Sequence, residues 1–234
     1  MAGKIVRSIP NTITLCNLLS GCVAIFMAFH LSETYCGLSA LYWVWIAMGA
    51  AAVFDFCDGA AARLLDAYSD LGKELDSLSD LVSFGVAPGM LMLNLIADNA
   101  QYPLLAAFAL LIPALGALRL AKFNIDNSQS TSFRGLPIPA NAIFWIGFSD
   151  WILRYGYPPT VIVIALIVFV AGMMVANNRM FSLKFHNFDF RENFRRYALI
   201  IAAAAFVVFR GVSGLMWTIV LYILISFLGR KEEE

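Results

Sequence analysis

Polar residues in this chain are gathered into short clusters that separate long apolar runs. An α-helix needs on the order of 20 apolar residues to cross a bilayer. Runs approaching that length fall at roughly 12–31, 40–63, 73–97, 102–121, 137–153, 158–177, 197–210 and 213–229. The pattern predicts an all-α fold, a polytopic membrane helix bundle of about eight transmembrane helices. An even number puts both termini on one side, and the distribution of charge says which side. With a cytoplasmic N-terminus, 14 of the 16 lysines and arginines lie inside, and only Arg154 and Arg210 fall outside. Positive charge collects on the cytoplasmic side of membrane proteins. One span more or fewer would destroy the bias, so both termini are expected in the cytoplasm.

Composition agrees with the pattern. Hydrophobic residues make up 61% of the 234 positions and charged residues 14%, against about a quarter charged in a soluble domain. The first run has a basic start but is too long for a signal peptide. It ends in Ser32-Glu33-Thr34 without a small-residue cleavage site, so it reads as a retained span. Cys16, Cys22, Cys36 and Cys57 show no ligand spacing and His30 and His186 stand far apart, so no zinc site is expected.

Several local signals have structural explanations. Asn11, Thr14, Asn17 and Gly21 recur at helical spacing and give the first span a polar stripe. This stripe is either a cap by Asn11 with small-residue packing or a hydrogen-bonding wall for a polar head group. Trp43 and Trp45 suit the outer interface. Gly85-Val-Ala-Pro88-Gly89 predicts close helix packing and a kink. Arg119 and Lys122, at i and i+3, can snorkel to lipid phosphates. Pro137 and Pro139 give a span a rigid start. Residues 178–196 interleave phenylalanines with basic side chains, which predicts an element lying on the anionic inner surface. In so apolar a chain, nucleic acid is not an expected partner.

The chemistry concentrates between 55 and 80. Asp55 and Asp58 are i, i+3 near the end of the second span, and Asp76 and Asp80 are i, i+4 at the start of the third. Each pair shares a helix face. Ionised groups inside a membrane are expensive without compensation, and the simplest partner for clustered carboxylates is a divalent cation. Two such faces turned together make an all-oxygen cage suited to Mg²⁺ or Mn²⁺. Paired cations about 3.5–4 Å apart can clamp a phosphoryl group during displacement at phosphorus. Gly59 would let a backbone approach the ligand, Arg63 offers donors for a diphosphate, and one aspartate could serve as general base. A cation or proton pathway is the rival reading of intramembrane aspartates, although it gives Gly59, Ala62 and Gly72 no purpose.

The run Asp55-x2-Asp58-Gly59-x2-Ala62-Arg63-x8-Gly72-x3-Asp76-x3-Asp80 matches, at every fixed position, the signature of the CDP-alcohol phosphatidyltransferase family, which the chain therefore resembles. The resemblance implies a single integral-membrane domain over 1–234, with a catalytic core over about 10–177 and additional helices over about 197–229. It implies two divalent cations, Mg²⁺ or Mn²⁺, with Asp55 and Asp76 bridging both, Asp58 completing the first site and Asp80 the second. Asp80 would also be the catalytic proton acceptor. Gly59, Arg63 and Ser69, with Asn11 and Thr14, would contact the CDP-lipid, beside the signature residues Ala62 and Gly72.

Arg119-Leu-Ala-Lys122-Phe-Asn124 and Gly135-Leu-Pro-Ile-Pro139 are similar to segments of that family's bacterial and archaeal membrane-embedded phosphatidylserine synthases. The expectation is a prokaryotic cytoplasmic-membrane enzyme, its active site facing the cytoplasm, that converts CDP-diacylglycerol and L-serine to phosphatidylserine and CMP. Arg119, Lys122 and Arg134 are candidates for the serine carboxylate or a lipid phosphate. Basic residues would equally suit glycerol 3-phosphate or inositol phosphate, and inositol is a further alternative acceptor. Membrane lipids and a second copy in a homodimer are the remaining partners implied.

Overall fold

The computed structural model gives the fold over residues 2–125, 133–180, 189 and 193–228, with side chains described over 8–125, 135–178, 180, 189 and 193–227. Within these residues the chain is almost wholly helical. It runs through α1 (Ala2–Ala28), α2 (Ala40–Leu64), α3 (Asp70–Asp80), α4 (Ala87–Asn99), α5 (Leu111–Ile125), α6 (Ile138–Tyr155), α7 (Thr160–Val175), α8 (Phe194–Arg210) and α9 (Gly214–Leu228). A π-helical turn over Leu81–Val86 joins α3 to α4 without a break, and the Ala87 N–H reaches back five residues to the Val82 carbonyl. A 3-10 stretch, Pro103–Leu110, leads into α5.

Each of the eight predicted runs coincides with helix. Among the described residues, five stretches are long and apolar enough to cross a membrane: Ser8–Ala28, Ala40–Leu64, Asp70–Asn99, Pro103–Ile125 and Phe194–Phe227. Thr160–Val175 is apolar but shorter. Large apolar side chains stand fully outward on these helices, among them Leu19, Phe56, Leu104, Val208 and Phe209. Such faces suit a lipid environment.

Two features depart from the sequence reading. The first helix begins at Ala2, ahead of Pro10, so Asn11 lies inside the helix and does not cap it. A proline within a helix forfeits the bond of its own nitrogen, and the hydroxyls of Thr12 and Thr14 back-bond to the Ser8 and Pro10 carbonyls on either side. A two-residue hairpin, β1 (Thr34–Tyr35) paired with β2 (Leu38–Ser39), separates α1 from α2. Its turn residues Cys36 and Gly37 both have positive φ, 52° and 80°, which a tight hairpin of this twist requires. The element predicted over 178–196 lies largely outside the described residues.

The chain forms two compact units, Met1–Leu120 and Ala121–Glu234, divided within α5. In the first, α1 packs along α2, α3, the π-turn and α4. Small residues bring backbones together, as membrane helices require where lipid offers no hydrophobic drive. A Cβ on Gly21 would lie 2.4 Å from Ser83 Oγ and 2.8 Å from Ser83 Cα. One on Gly89 would lie 2.8 Å from Pro113 Cδ, in agreement with the close packing expected of the Gly85–Gly89 segment.

The second unit is built on α6, which starts directly after Pro137 with Pro139 in its first turn, as predicted. Buried Trp145 donates to Asn141 Oδ1 at 2.9 Å, and Gly147 lets the Met216 backbone approach. Buried Asp150 accepts from the Ser213 N–H at 2.7 Å and from Arg154 Nε at 2.8 Å, satisfying the turn between α8 and α9. Where α7 ends, Gly135 (φ +76°) fits because a Cβ would meet the Met174 carbonyl at 2.3 Å.

Candidate active site

The site lies in the first unit, where α2 ends and α3 begins beside α1. The end of α2 is fixed by Asp66, which takes a left-handed conformation (φ 46°). The Ala67 N–H then folds back onto the Ala62 carbonyl at 3.0 Å, as helix C-termini commonly do. Ser69 caps the next helix, its Oγ accepting from the Gly72 N–H at 3.0 Å. Gly72 is tightly enclosed: a Cβ would sit 3.0 Å from both Asn11 Oδ1 and Ser69 Oγ, so those side chains would have to give by a few tenths of an ångström. The Asn11 side chain, from α1, thus lies over the start of α3 at that point.

One turn further along, the carboxylates converge. Asp55, Asp76 and Asp80 each offer an oxygen, and these oxygens all lie within 4.8 Å of one another. Asp55 and Asp80 are in hydrogen-bonding contact, and Asp76 faces both Asp55 and Asp58. Asp58 is 5% exposed and stands beside the Thr14 hydroxyl. Its Oδ2 is buried with no hydrogen-bond partner among the described residues. Three carboxyl groups at this separation, beside a fourth with an orphaned oxygen, cannot all ionise without a compensating cation. All donors are hard carboxylate oxygens, the set preferred by Mg²⁺ and Mn²⁺. The residues present therefore fit a divalent-cation centre.

Next to the carboxylates is a cavity of about 220 Å³. Its walls include Asn11, Thr14, Asp58, Gly59, Ala62, Ser69, Gly72 and Asp76. Eight residues singled out from the sequence thus line one space. Among the described residues nothing would meet a Cβ on Gly59 within 4 Å, so that glycine keeps the cavity open on the α2 side. Arg63 is exposed and is not among the walls. Arg119 is buried on α5 outside the walls, and Lys122 is exposed three residues later in the second unit. The backbone of Arg134 pairs with Arg179 in a short strand, and its side chain lies outside the described residues.

Sequence reasoning gave no role to Tyr68 and Lys73, which also line the cavity. Tyr68 falls in a turn without periodicity, so no signal marked it. Asn17 was visible only as one member of the polar stripe. It is wholly buried, and its Nδ2 donates to Asp80 Oδ1 at 3.4 Å. The stripe divides by position: Asn11 and Thr14 face the cavity, Asn17 faces Asp80, and Gly21 serves packing.

The family model described as CDP-alcohol phosphatidyltransferase matches residues 7–176. Curated relatives include the CDP-diacylglycerol–serine O-phosphatidyltransferase of Bacillus subtilis, 38% identical over 157 residues, 67% of this chain and 80% of that one. The protein so named from Methanocaldococcus jannaschii is 37% identical over 148 residues, 63% of each chain. That from Mycobacterium tuberculosis is 32% identical over 162 residues, 66% of this chain and 53% of its own. The match thus spans less than two thirds of the last two relatives.

Proposed function

Because the chain belongs to the CDP-alcohol phosphatidyltransferase family, we propose that it transfers the phosphatidyl group of CDP-diacylglycerol to the hydroxyl of L-serine, releasing phosphatidylserine and CMP. The observation that carries this reading is the convergence of Asp55, Asp76 and Asp80 beside a cavity walled by Asn11, Thr14, Gly59 and Gly72. The choice of serine is supported by the names of the relatives.

Asp55, Asp58, Asp76 and Asp80 would hold two divalent cations, Mg²⁺ or Mn²⁺, which when bound neutralise phosphoryl and leaving-group oxygens. The chain's own residues do the rest. The cavity takes the CDP moiety, with Gly59, Ala62, Ser69 and Gly72 as close walls, and Arg63 is assigned to the diphosphate. Asp80 takes the proton of the serine hydroxyl. The serine oxygen then forms its bond to the lipid-side phosphorus as the bond from that phosphorus to the bridging oxygen breaks, and CMP leaves with the bridge. Arg119, Lys122 and Arg134 are assigned to the serine carboxylate or lipid phosphate. The whole chain is read as one domain with eight spans and both ends in the cytoplasm of a prokaryote, working as a homodimer with its site at the inner face of the cytoplasmic membrane.

The test is CMP release from CDP-diacylglycerol by the purified protein in detergent, with L-serine, glycerol 3-phosphate, inositol and inositol phosphate compared, each with and without EDTA. Release with serine alone, abolished by EDTA and restored by Mg²⁺ or Mn²⁺, is expected. Release with another acceptor overturns the choice of serine. Cation flux into liposomes without CMP release would instead identify an ion pathway.

A further inference from the structure

We infer that Asn17 reads the acceptor alcohol: its amide nitrogen holds Asp80 and its amide oxygen accepts a hydrogen bond from the acceptor molecule. The inference rests on the transfer reading above and adds to it a residue outside the aspartate signature. Asn17 is wholly buried, and three of its groups can be followed. Nδ2 donates to Asp80 Oδ1 at 3.4 Å. The backbone carbonyl accepts from Ser83 Oγ, on the π-turn, at 3.0 Å. Oδ1 is buried with no partner among the described residues. A buried amide oxygen is rarely left without a donor, and leaving it so is costly. Turning the amide over does not help, because Oδ1 would then face the Asp80 carboxylate.

Position separates this pair from the CDP cavity. Thr14, one turn earlier on α1, and Asp76, one turn earlier on α3, line the cavity, whereas Asn17 and Asp80 do not. Asp80, itself one of the three clustered carboxylates, and the Asn17 oxygen therefore form an acceptor pair one turn beyond the residues that line the cavity. The ligand chemistry that fits two adjacent acceptors is a molecule with two donors. A small amino alcohol satisfies both, its hydroxyl giving a proton to Asp80 and its ammonium donating to Asn17 Oδ1.

The test is steady-state kinetics of the full-length protein with CDP-diacylglycerol, Mn²⁺ and either L-serine or 3-hydroxypropionate, which lacks the ammonium. In Asn17→Leu, KM for serine should rise about tenfold or more, the effect of losing a hydrogen bond to a charged donor. The preference for serine over 3-hydroxypropionate should collapse toward one, with KM for CDP-diacylglycerol unchanged. Asn17→Gln, which keeps both groups, should recover part of the preference. An unchanged preference, equal losses for both substrates, or a shift confined to Mn²⁺ would overturn the inference. The Mn²⁺ outcome would make Oδ1 a cation ligand. If Asn17→Leu does not fold, the smaller Asn17→Ser carries the same comparison. If the wild type prefers another acceptor, serine as substrate fails, while the comparison made with that acceptor and its analogue still decides the role of Asn17.

Discussion

Gly21→Ala tests how tightly the geometry at Asp80 depends on helix packing. The added Cβ would lie 2.4 Å from Ser83 Oγ, 2.8 Å from Ser83 Cα and 3.0 Å from Ser83 N. The hydroxyl could rotate away, at the expense of its bond to the Asn17 carbonyl, but the backbone atoms cannot. Restoring an ordinary 3.4 Å contact to Cα requires α1 and the π-turn to separate by about 0.6 Å. Overpacking of this kind costs about 1–3 kcal/mol. Asn17 lies one turn away on the same face, and its bond to Asp80 is already long at 3.4 Å. A further 0.6 Å or so would break it. Misplacing a reacting group by about 1 Å can cost about a hundredfold in rate, so turnover should fall about ten- to a hundredfold. The assay is kcat for CMP release at saturating substrates, read beside the thermal unfolding midpoint in detergent, which should also fall. Adding Ser83→Ala removes the 2.4 Å clash and leaves the 2.8 Å one, so recovery should be partial. Wild-type turnover in Gly21→Ala, or full recovery in the double variant, would refute the coupling.

Asp80→Asn should lower turnover by about 10²–10⁴, the range for a lost general base, while calorimetry still detects CDP-diacylglycerol binding. Gly59→Leu should leave stability unchanged or raise it by up to about 1 kcal/mol, since leucine is the better helix former. Because it fills the open α2 wall of the cavity, KM for CDP-diacylglycerol should rise. Asp150→Ala should destabilise the protein by about 1–3 kcal/mol through the orphaned Ser213 N–H, read as a lower unfolding midpoint. The exposed Arg154 should add little, because its side chain is 49% accessible.

The helices were legible because hydrophobic run length is nearly sufficient to specify a membrane helix. The carboxylates were legible because an i, i+3 pair and an i, i+4 pair can only face one way on their helices. Close approach was harder to see. Gly21 looks like any small residue in a span, and only the opposing atoms of Ser83 reveal why it is glycine. Asn17 was hidden for a related reason. Helical spacing put it in a stripe with Asn11 and Thr14, but not opposite Asp80, which is 63 residues away in the chain. The apolar run from about 12 did not show the start of α1, because the helix begins at Ala2 and continues through Pro10. The hairpin at Cys36-Gly37 is too short for any alternating pattern to announce it.

The π-turn over Leu81–Val86 sets an angular offset within a single rod. Asp80 and Gly89 are nine positions apart, and at about 100° per residue an unbroken α-helix would point them in opposite directions. One extra residue in the turn subtracts about 100° and leaves them roughly 80° apart. The same rod can therefore dock its carboxylate end on Asn17 and its glycine end on Pro113. Shortening the turn by one residue would force a choice between these two seats. The irregularity thus acts as a clocking device that keeps the reacting end and the anchoring end of the rod in step.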